Sequence, residues 1–388
     1  MKTHIEINRA NLIHNLTLFA RIGGKKIIFV VKANAYGHGL TEIVDLSKHL
    51  PFIEYYAVDS LLEGLAVSRQ APKKKILVIG WADDREIGEM IDRGFEFVVP
   101  SLAYFSRVKA LAGARRLRAR VHLKLETGTT RLGMEPRDLL HSAEEAEAAG
   151  IDVCGVYSHF ANIEDTTDHS YARQQLKVYK GVSGRLPAGS ILRHFSCSAS
   201  ALLFPETYFD ILRVGISAYG YWPSKQTYLS YIESKKKKIE LKPVLSWVSR
   251  VAQVKEIERG RYIGYGLTYQ TFNRSRIVIV PVGYYDGYDR RLSNISNIIV
   301  NGVKAPVRGR VCMNMIMAEV THIPEVNEGD RVLLLGRGDG VKIDADYLAD
   351  LAGTINYELL SRLNPLIPRV VVPGEDGLRR GTGTGKRG

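Results

Sequence analysis

Cysteine is scarce in this chain. Cys154, Cys197 and Cys312 are the only three in 388 residues, far apart and in no C-x-x-C spacing. That excludes a disulfide framework and a cysteine-rich zinc site, and it leaves buried free thiols. No apolar run is long enough to span a bilayer, and the opening MKTHIEINRA has no apolar signal core, so a cytoplasmic protein is expected. No G-x-G-x-x-G follows a strand-like run, so a dinucleotide-binding half finds no support. Acidic residues are also in deficit: 41 against 54 Lys and Arg, for a net charge of +13. A nucleic-acid partner would need that excess gathered on a motif with interleaved aromatics. Instead part of it sits in the run Lys235–Lys238 and part in the Gly-rich tail with Arg379, Arg380, Lys386 and Arg387.

What is present is a repeated alternation. Ile27, Ile28, Phe29, Val30 and Val31 form an apolar run that stops on Lys32, followed by Ala33, Asn34, Ala35, Tyr36 and a Gly-His-Gly turn. Further strand-like runs lie near 55–58, 75–79, 95–99, 121–125, 153–157, 191–195 and 211–214, with helix-like segments between most of them. Eight such strands over about 215 residues match the scale of a (β/α)8 TIM barrel. A doubly wound open sheet is the second choice. Residues 224–241 are polar and read as a linker. Beyond them the runs are strand-like, with Asn301-Gly302 as a hairpin signal and one late helix over 345–363, capped by Asp344. The expected organisation is an α/β barrel over 1–232, a mostly-β domain over 233–373, and a disordered basic tail over 374–388.

In a barrel of this kind the chemistry gathers at the C-terminal ends of the strands. The first strand delivers Lys32, with Tyr36 beyond it. The fifth delivers Lys124, then Glu126 and Arg131. The sixth delivers Ser158 and His159; the seventh, His194 through Ser198; the eighth, Arg213, then Gly215 and Ile216. Taken singly, each is an ordinary strand-end or core residue. Taken together, two lysines, two arginines, histidines and hydroxyls on one mouth suit an anionic ligand carrying a phosphate. An amine at the end of an apolar strand can also form a Schiff base, because desolvation frees its lone pair.

The motifs around these residues resemble those of alanine racemases. They are Val-Val-Lys32-Ala-Asn-Ala-Tyr36-Gly-His-Gly, Lys124-Leu-Glu-Thr-Gly-Thr-Thr-Arg131-Leu-Gly, Tyr157-Ser-His159-Phe and Arg213-Val-Gly-Ile-Ser-Ala-Tyr-Gly. Later come Gly264-Tyr265-Gly266-Leu-Thr-Tyr269, Pro281-Val-Gly-Tyr284-Tyr-Asp-Gly, Gly309-Arg310-Val-Cys312-Met313-Asn314 and Asn356-Tyr357-Glu358. They run in family order from about Ile5 to Pro368. The resemblance implies a pyridoxal 5'-phosphate (PLP) enzyme that interconverts L- and D-alanine for peptidoglycan, active as a homodimer with shared sites.

It also implies roles. Lys32 would hold PLP as a Schiff base and act as the base on one face of the substrate, and Tyr265 of the partner subunit as the base on the other. Tyr36, Ser198, Gly215, Ile216 and Tyr357 match positions that bind the phosphate. Arg213 matches the residue facing the pyridine nitrogen, and His159 the one linking Tyr265 to it. Arg131, Met313 and Tyr284 match substrate-side positions, and Lys124 a lysine often carbamylated. Asn314, Cys197, Glu126 and Thr130 depart from common family choices, but none removes a base. The competing readings are a racemase of serine or of many amino acids, a barrel PLP decarboxylase, a PLP-carrier protein and a basic nucleic-acid module. Tyr357 disfavours the serine enzyme, the Tyr265 pairing and the motifs disfavour the decarboxylase, and the whole β-domain carrying Tyr265 disfavours the carrier.

Overall fold

The computed structural model describes residues 1–187, 189–234, 238–338 and 340–374. They form two compact units, and the chain enters each more than once. One unit contains Ile13–Ala33 and Ile43–Lys242. The other contains Met1–Leu12, Asn34–Glu42 and the described residues from Pro243 onward.

The first unit carries the expected barrel. Its eight parallel strands are Ile27–Val30, Ile53–Val58, Lys75–Val78, Glu96–Val99, Ala119–Lys124, Ile151–Tyr157, Leu192–His194 and Leu212–Val214. Each pairs with its sequence neighbour up to the seventh, and the eighth returns to pair with the first. The remaining gap, between the seventh and eighth, is crossed by the Asp210 N–H to the Arg193 carbonyl (3.1 Å) and the Arg213 N–H to Ser196 Oγ (3.1 Å). Strands enclosed on both faces read as continuous apolar runs, and Ile27–Val30 is buried throughout. Helices follow the strands, among them Leu61–Gln70, Asp84–Asp92, Leu102–Arg115, Pro136–Glu145 and Ser170–Ser183.

The second unit is mostly β. Thr3–Asn8 sits inside its larger sheet, antiparallel to Leu245–Arg250 and parallel to Arg369–Val372. The alternating burial of Thr3–Asn8 matches its sequence pattern. A three-stranded sheet is made of Gln253–Ile257, Ser275–Val280 and Ile316–Glu319. The Asn301-Gly302 hairpin is present: Asn297–Val300 pairs with Val303–Pro306, and both turn residues have positive φ.

Two expectations need correction. The polar stretch 224–241 is not simply a linker, because Lys225–Ser234 is a helix. Ser224 Oγ accepts the Thr227 N–H (2.9 Å), and the Tyr228 and Tyr231 rings pack on Trp222. The late helix is two helices, Ala345–Ala352 and Asn356–Ser361. Asp344 caps the first by accepting the Tyr347 N–H (2.9 Å), but Gly353 ends it in a left-handed conformation. The expected disordered tail lies outside the described residues beyond Gly374, as do Lys235–Lys237 of the lysine run.

The chain after the first barrel strand takes an unusual path. Lys32–Tyr36 forms a single turn in which Ala33, Asn34, Ala35 and Tyr36 have φ of 54°, 53°, 52° and 53°. Left-handed backbone costs a residue with a Cβ roughly 1–2 kcal/mol, so the turn needs external support. Glu63 supplies some of it: its carboxylate accepts the N–H groups of Ala33 (2.7 Å) and Asp59 (2.8 Å), tying together the ends of the first two strands. Asn34 supplies more, since its Oδ1 accepts the Leu40 N–H (2.8 Å).

At Gly37, φ is 77°, and a Cβ there would stand 1.9 Å from the Leu360 carbonyl oxygen. Gly37→Ala is therefore expected to destabilise the fold by about 3 kcal/mol, combining backbone strain with overpacking. Denaturant unfolding of the two proteins measures it, and a difference below about 1 kcal/mol would rule out this close approach.

Candidate active site

The barrel strands bring a cationic cluster to one mouth. Lys32 stands two residues past the end of the first strand, its Nζ 3.7 Å from Asp59 Oδ1 and its side chain half-buried. Lys124 ends the fifth strand and is buried. Burial, with Arg131 and Arg213 adjacent, pushes its amine down to about 8. Arg131 follows on the loop beyond. Glu126 in that loop accepts the N–H groups of Gly128 (2.5 Å) and Thr129 (2.7 Å), so its charge is largely spent on its own loop.

Arg213, on the eighth strand, is buried, its guanidinium carbon 5.1 Å from the Tyr157 ring centre. Its Nη2 donates to the Ser158 carbonyl (2.9 Å) and to His159 Nδ1 (3.2 Å). Guanidinium can only donate, so His159 Nδ1 accepts and the ring proton stands on Nε2. Enclosure by protein, then Arg213 and Arg131, hold His159 well below the usual imidazole range, and the ring is neutral.

Ser198 opens the helix Ser198–Leu203 after the seventh strand, and its buried Oγ accepts the N–H groups of Gly215 (3.1 Å) and Ser217 (3.4 Å). Gly215 and Ile216 lead into a short 3-10 turn. The Ser217 hydroxyl is buried there without a hydrogen-bond partner among the described residues. Buried backbone and hydroxyl groups of this kind, in a unit whose barrel mouth carries arginines and lysines, form a donor set suited to a phosphorylated anion.

The second unit holds the other candidates. Tyr36 and Tyr357 pack ring to ring, centroids 6.1 Å apart. Tyr284 and Met313 lie on two loops drawn together, because the Tyr284 N–H donates to the Cys312 carbonyl (3.0 Å) and the Tyr285 N–H to the Met313 carbonyl (2.9 Å). Only glycine fits at 283, where a Cβ would meet the Cys312 oxygen at 2.2 Å. Tyr265 lies between Gly264 and Gly266, both at positive φ, and is 73% exposed. Of the predicted residues, the barrel set clusters in one unit, and Tyr36, Tyr265, Tyr284, Met313 and Tyr357 belong to the other.

Sequence reading missed Glu63 and the buried acid Glu96. Glu63 carried a signal, since it stands three residues after Ser60, the cap of Leu61–Gln70. Glu96, at the start of an apolar strand, carried none.

A nearly closed ring of parallel strands with a lysine after the first and cations at the mouth, accompanied by a second β-rich unit, defines a barrel enzyme. The chain belongs to the alanine racemase family, and with it to the isomerases. The model of the alanine racemase N-terminal domain matches residues 7–223, and that of the C-terminal domain residues 244–371. The alanine racemase of Leptospira interrogans is 38% identical over 380 residues, 95% of each chain. The solved alanine racemase of Clostridium difficile is 31% identical, covers 96% of both chains and superimposes with a TM-score of 0.87. A second solved structure, the Bartonella henselae alanine racemase, shares the fold (TM-score 0.85, 24% identity, 96% of this chain and 100% of that one). It was solved with covalently bound pyridoxal phosphate.

Proposed function

We propose that this chain racemises alanine with PLP as cofactor, by two bases on opposite faces of the substrate. The observation that carries the reading is the half-buried Lys32 amine within one cluster of Lys124, Arg131, His159 and Arg213. Lys32 would hold the cofactor; Tyr36, Ser198, Gly215, Ile216 and Tyr357 its phosphate; Arg213 the ring nitrogen. The Ser217 hydroxyl beside the Ser198 cradle supports that fit. Bound there, the cofactor supplies the electron sink that makes the α-proton of an amino acid removable.

The residues of the chain then decide where protons go. Racemisation needs a proton taken from one face and one returned to the other, which two fixed bases do better than one. Lys32 serves one face and Tyr265 of the partner subunit the other. A free phenol titrates near about 10, so a tyrosine base needs a neighbour that favours phenolate. His159 is suited to that task. Its Nδ1 is occupied by Arg213, so its Nε2–H is the group left to donate to a phenolate oxygen. Arg213 keeps its proton, because guanidinium titrates above roughly 12. Arg131, Met313 and Tyr284 would orient the substrate carboxylate and close the site.

The reading calls for a homodimer, and the exposure of large apolar residues in the second unit supports that. Tyr265, Leu267, Phe272, Tyr284, Tyr285 and Met313 are all exposed in a single chain. Large exposed apolar patches mark association surfaces. The same reading puts the reaction in the cytoplasm, as a source of D-alanine for peptidoglycan. The test is incubation of the purified protein and PLP with a panel of L-amino acids, followed by chiral analysis. D-alanine should form fastest; a faster D-serine, or no D-alanine, would reject the assignment.

Lys124 enters as a carbamate. Carbon dioxide adds to a neutral amine, with loss of one proton, and an amine titrating near about 8 is substantially neutral in mild base. The resulting anion would hold Arg131. Native mass spectrometry in bicarbonate is expected to show one carbon dioxide adduct that grows as pH rises through about 8 and disappears in Lys124→Arg. An adduct that survives the substitution would place the carbamate elsewhere.

A further inference from the structure

Behind Arg213 a chain of buried hydrogen bonds crosses the barrel interior. Arg213 Nη1 meets His194 Nδ1 at 2.8 Å. His194 Nε2 meets His122 Nδ1 at 2.8 Å, and His122 Nε2 meets Glu96 Oε2 at 2.8 Å. Glu96 Oε1 accepts from Arg120 at 2.6 Å. His194, His122 and Glu96 are between 0% and 2% exposed. The Tyr157 ring stacks on His194, with centroids 4.8 Å apart and planes 8° from parallel.

The protons on this chain are fixed by its ends. Arg213 can only donate, so His194 Nδ1 is bare. His194 then carries its proton on Nε2, since a ring accepting at both nitrogens would be an imidazolate. That proton points at His122 Nδ1, which must accept, so His122 carries its own proton on Nε2 and gives it to the carboxylate. His122 is therefore not an imidazolium in this arrangement. From Arg213 to Glu96 each hydrogen bond runs the same way, from a guanidinium at the mouth to a carboxylate deep in the barrel. Aligned chains of this kind strengthen in a low-dielectric interior.

We propose that Glu96, acting through His122 and His194, is a positioning residue for Arg213, holding the guanidinium in one orientation at the mouth. The inference rests on the reading that Arg213 faces the cofactor ring. The Ser158 carbonyl and His159 hold Nη2, and a long contact to the His194 carbonyl (3.5 Å) is a weak hold on Nη1. The His194 bond fixes the second of its terminal nitrogens, and the carboxylate at the far end keeps that bond polarised. Burial alone would raise the Glu96 carboxyl, but hydrogen bonds from His122 and Arg120 outweigh it and keep the group ionised. The other titratable groups around Glu96 are Tyr55 and Cys154, with Lys75 bonded to the Tyr55 hydroxyl (3.1 Å). Tyr55 and Cys154 are both pushed up by burial, so neither adds a negative charge near neutrality.

The test uses holoenzyme labelled with ¹⁵N histidine, read by imidazole NMR, cofactor absorbance and kinetics. In the unmodified protein, His194 and His122 should each be neutral with the proton on Nε2. Glu96→Gln should move both ring signals, shift the cofactor absorbance band and lower kcat by about tenfold, the scale on which hydrogen-bond partners behind a working group act. KM should change by less than about twofold, because substrate contacts are untouched. Glu96→Asp, which keeps the charge, should recover most of kcat. Should Glu96→Gln not fold, His194→Gln breaks the chain at its other end and should give the same loss.

A doubly protonated ring or an Nδ1–H tautomer in the unmodified protein would overturn the proposal. So would a kcat loss with an unmoved absorbance band, or Glu96→Asp as impaired as Glu96→Gln. Holoenzyme that shows the two tautomers but makes no D-alanine would instead reject the racemase reading, and the absorbance shift alone would then decide the role of Glu96.

Discussion

Lys32→Ala is expected to lose racemisation by about 10³-fold or more, together with stable retention of PLP. Losing a positioned base costs typically about 10²–10⁴-fold, and in the proposed mechanism the same residue would also anchor the cofactor covalently. The position has no built-in substitute. The Lys32 turn holds its left-handed path through the Ala33 and Asp59 bonds to Glu63, and none of these depends on the amine, so the variant should fold. The amine to watch is Lys124, which titrates near about 8 and shares the mouth with Lys32. It starts from a different strand and is buried against Tyr157, with its Nζ 5.7 Å from that ring centre. Chiral analysis of alanine and the absorbance of dialysed protein measure the two losses. A Lys32→Ala protein that keeps its cofactor band and its rate would transfer the anchor to another lysine. Lys32→Arg is the companion variant: it keeps the charge, offers no free lone pair, and should be as inactive as the alanine form.

The barrel was legible because its strands are buried on both faces and stop on polar residues. Ile27–Val30 followed by Lys32, and Ala119–Lys124 itself, mark both a strand end and a mouth position. The second unit was less legible, for physical reasons. Thr3–Asn8 alternates as a strand should, but its partner Leu245–Arg250 lies more than two hundred residues away, and alternation carries no information about partners. The Lys225–Ser234 helix was hidden because it inverts the usual pattern: Tyr228, Leu229 and Ile232 are exposed, while the polar Thr227 and Ser230 are buried beside Tyr231. The left-handed turn at Ala33–Tyr36 could not be read at all, since four residues with side chains give no sign of positive φ. Only a carboxylate thirty residues on, Glu63, and the close approach at Gly37 explain it. The mouth residues were found by position, but the hydrogen bonds behind them were not. His194 was read as part of the mouth, whereas its side chain lies in the barrel interior between Arg213 and His122.

Tyr265→Phe should separate the two directions of the reaction. Lys32 and Tyr265 are assigned to opposite faces of the substrate, so each enantiomer loses its α-proton to a different base. With the phenol removed, Lys32 still exchanges the proton on its own face. In deuterated water, exchange from one enantiomer should persist near its original rate, while exchange from the other falls by about 10²–10⁴-fold. Net racemisation should fall by the larger factor, because a full turnover needs both faces. Fold stability should barely change, since Tyr265 is 73% exposed and Phe keeps the ring. The role proposed for His159 leads to the same asymmetry. His159 has one nitrogen bonded to Arg213 and a proton on the other, so it can support a phenolate but cannot itself accept the substrate proton while that bond holds. His159→Phe should therefore impair the same enantiomer as Tyr265→Phe, and less severely. Equal loss of exchange from both enantiomers would mean that a single base serves both faces, and the partner subunit would then have no proton to carry.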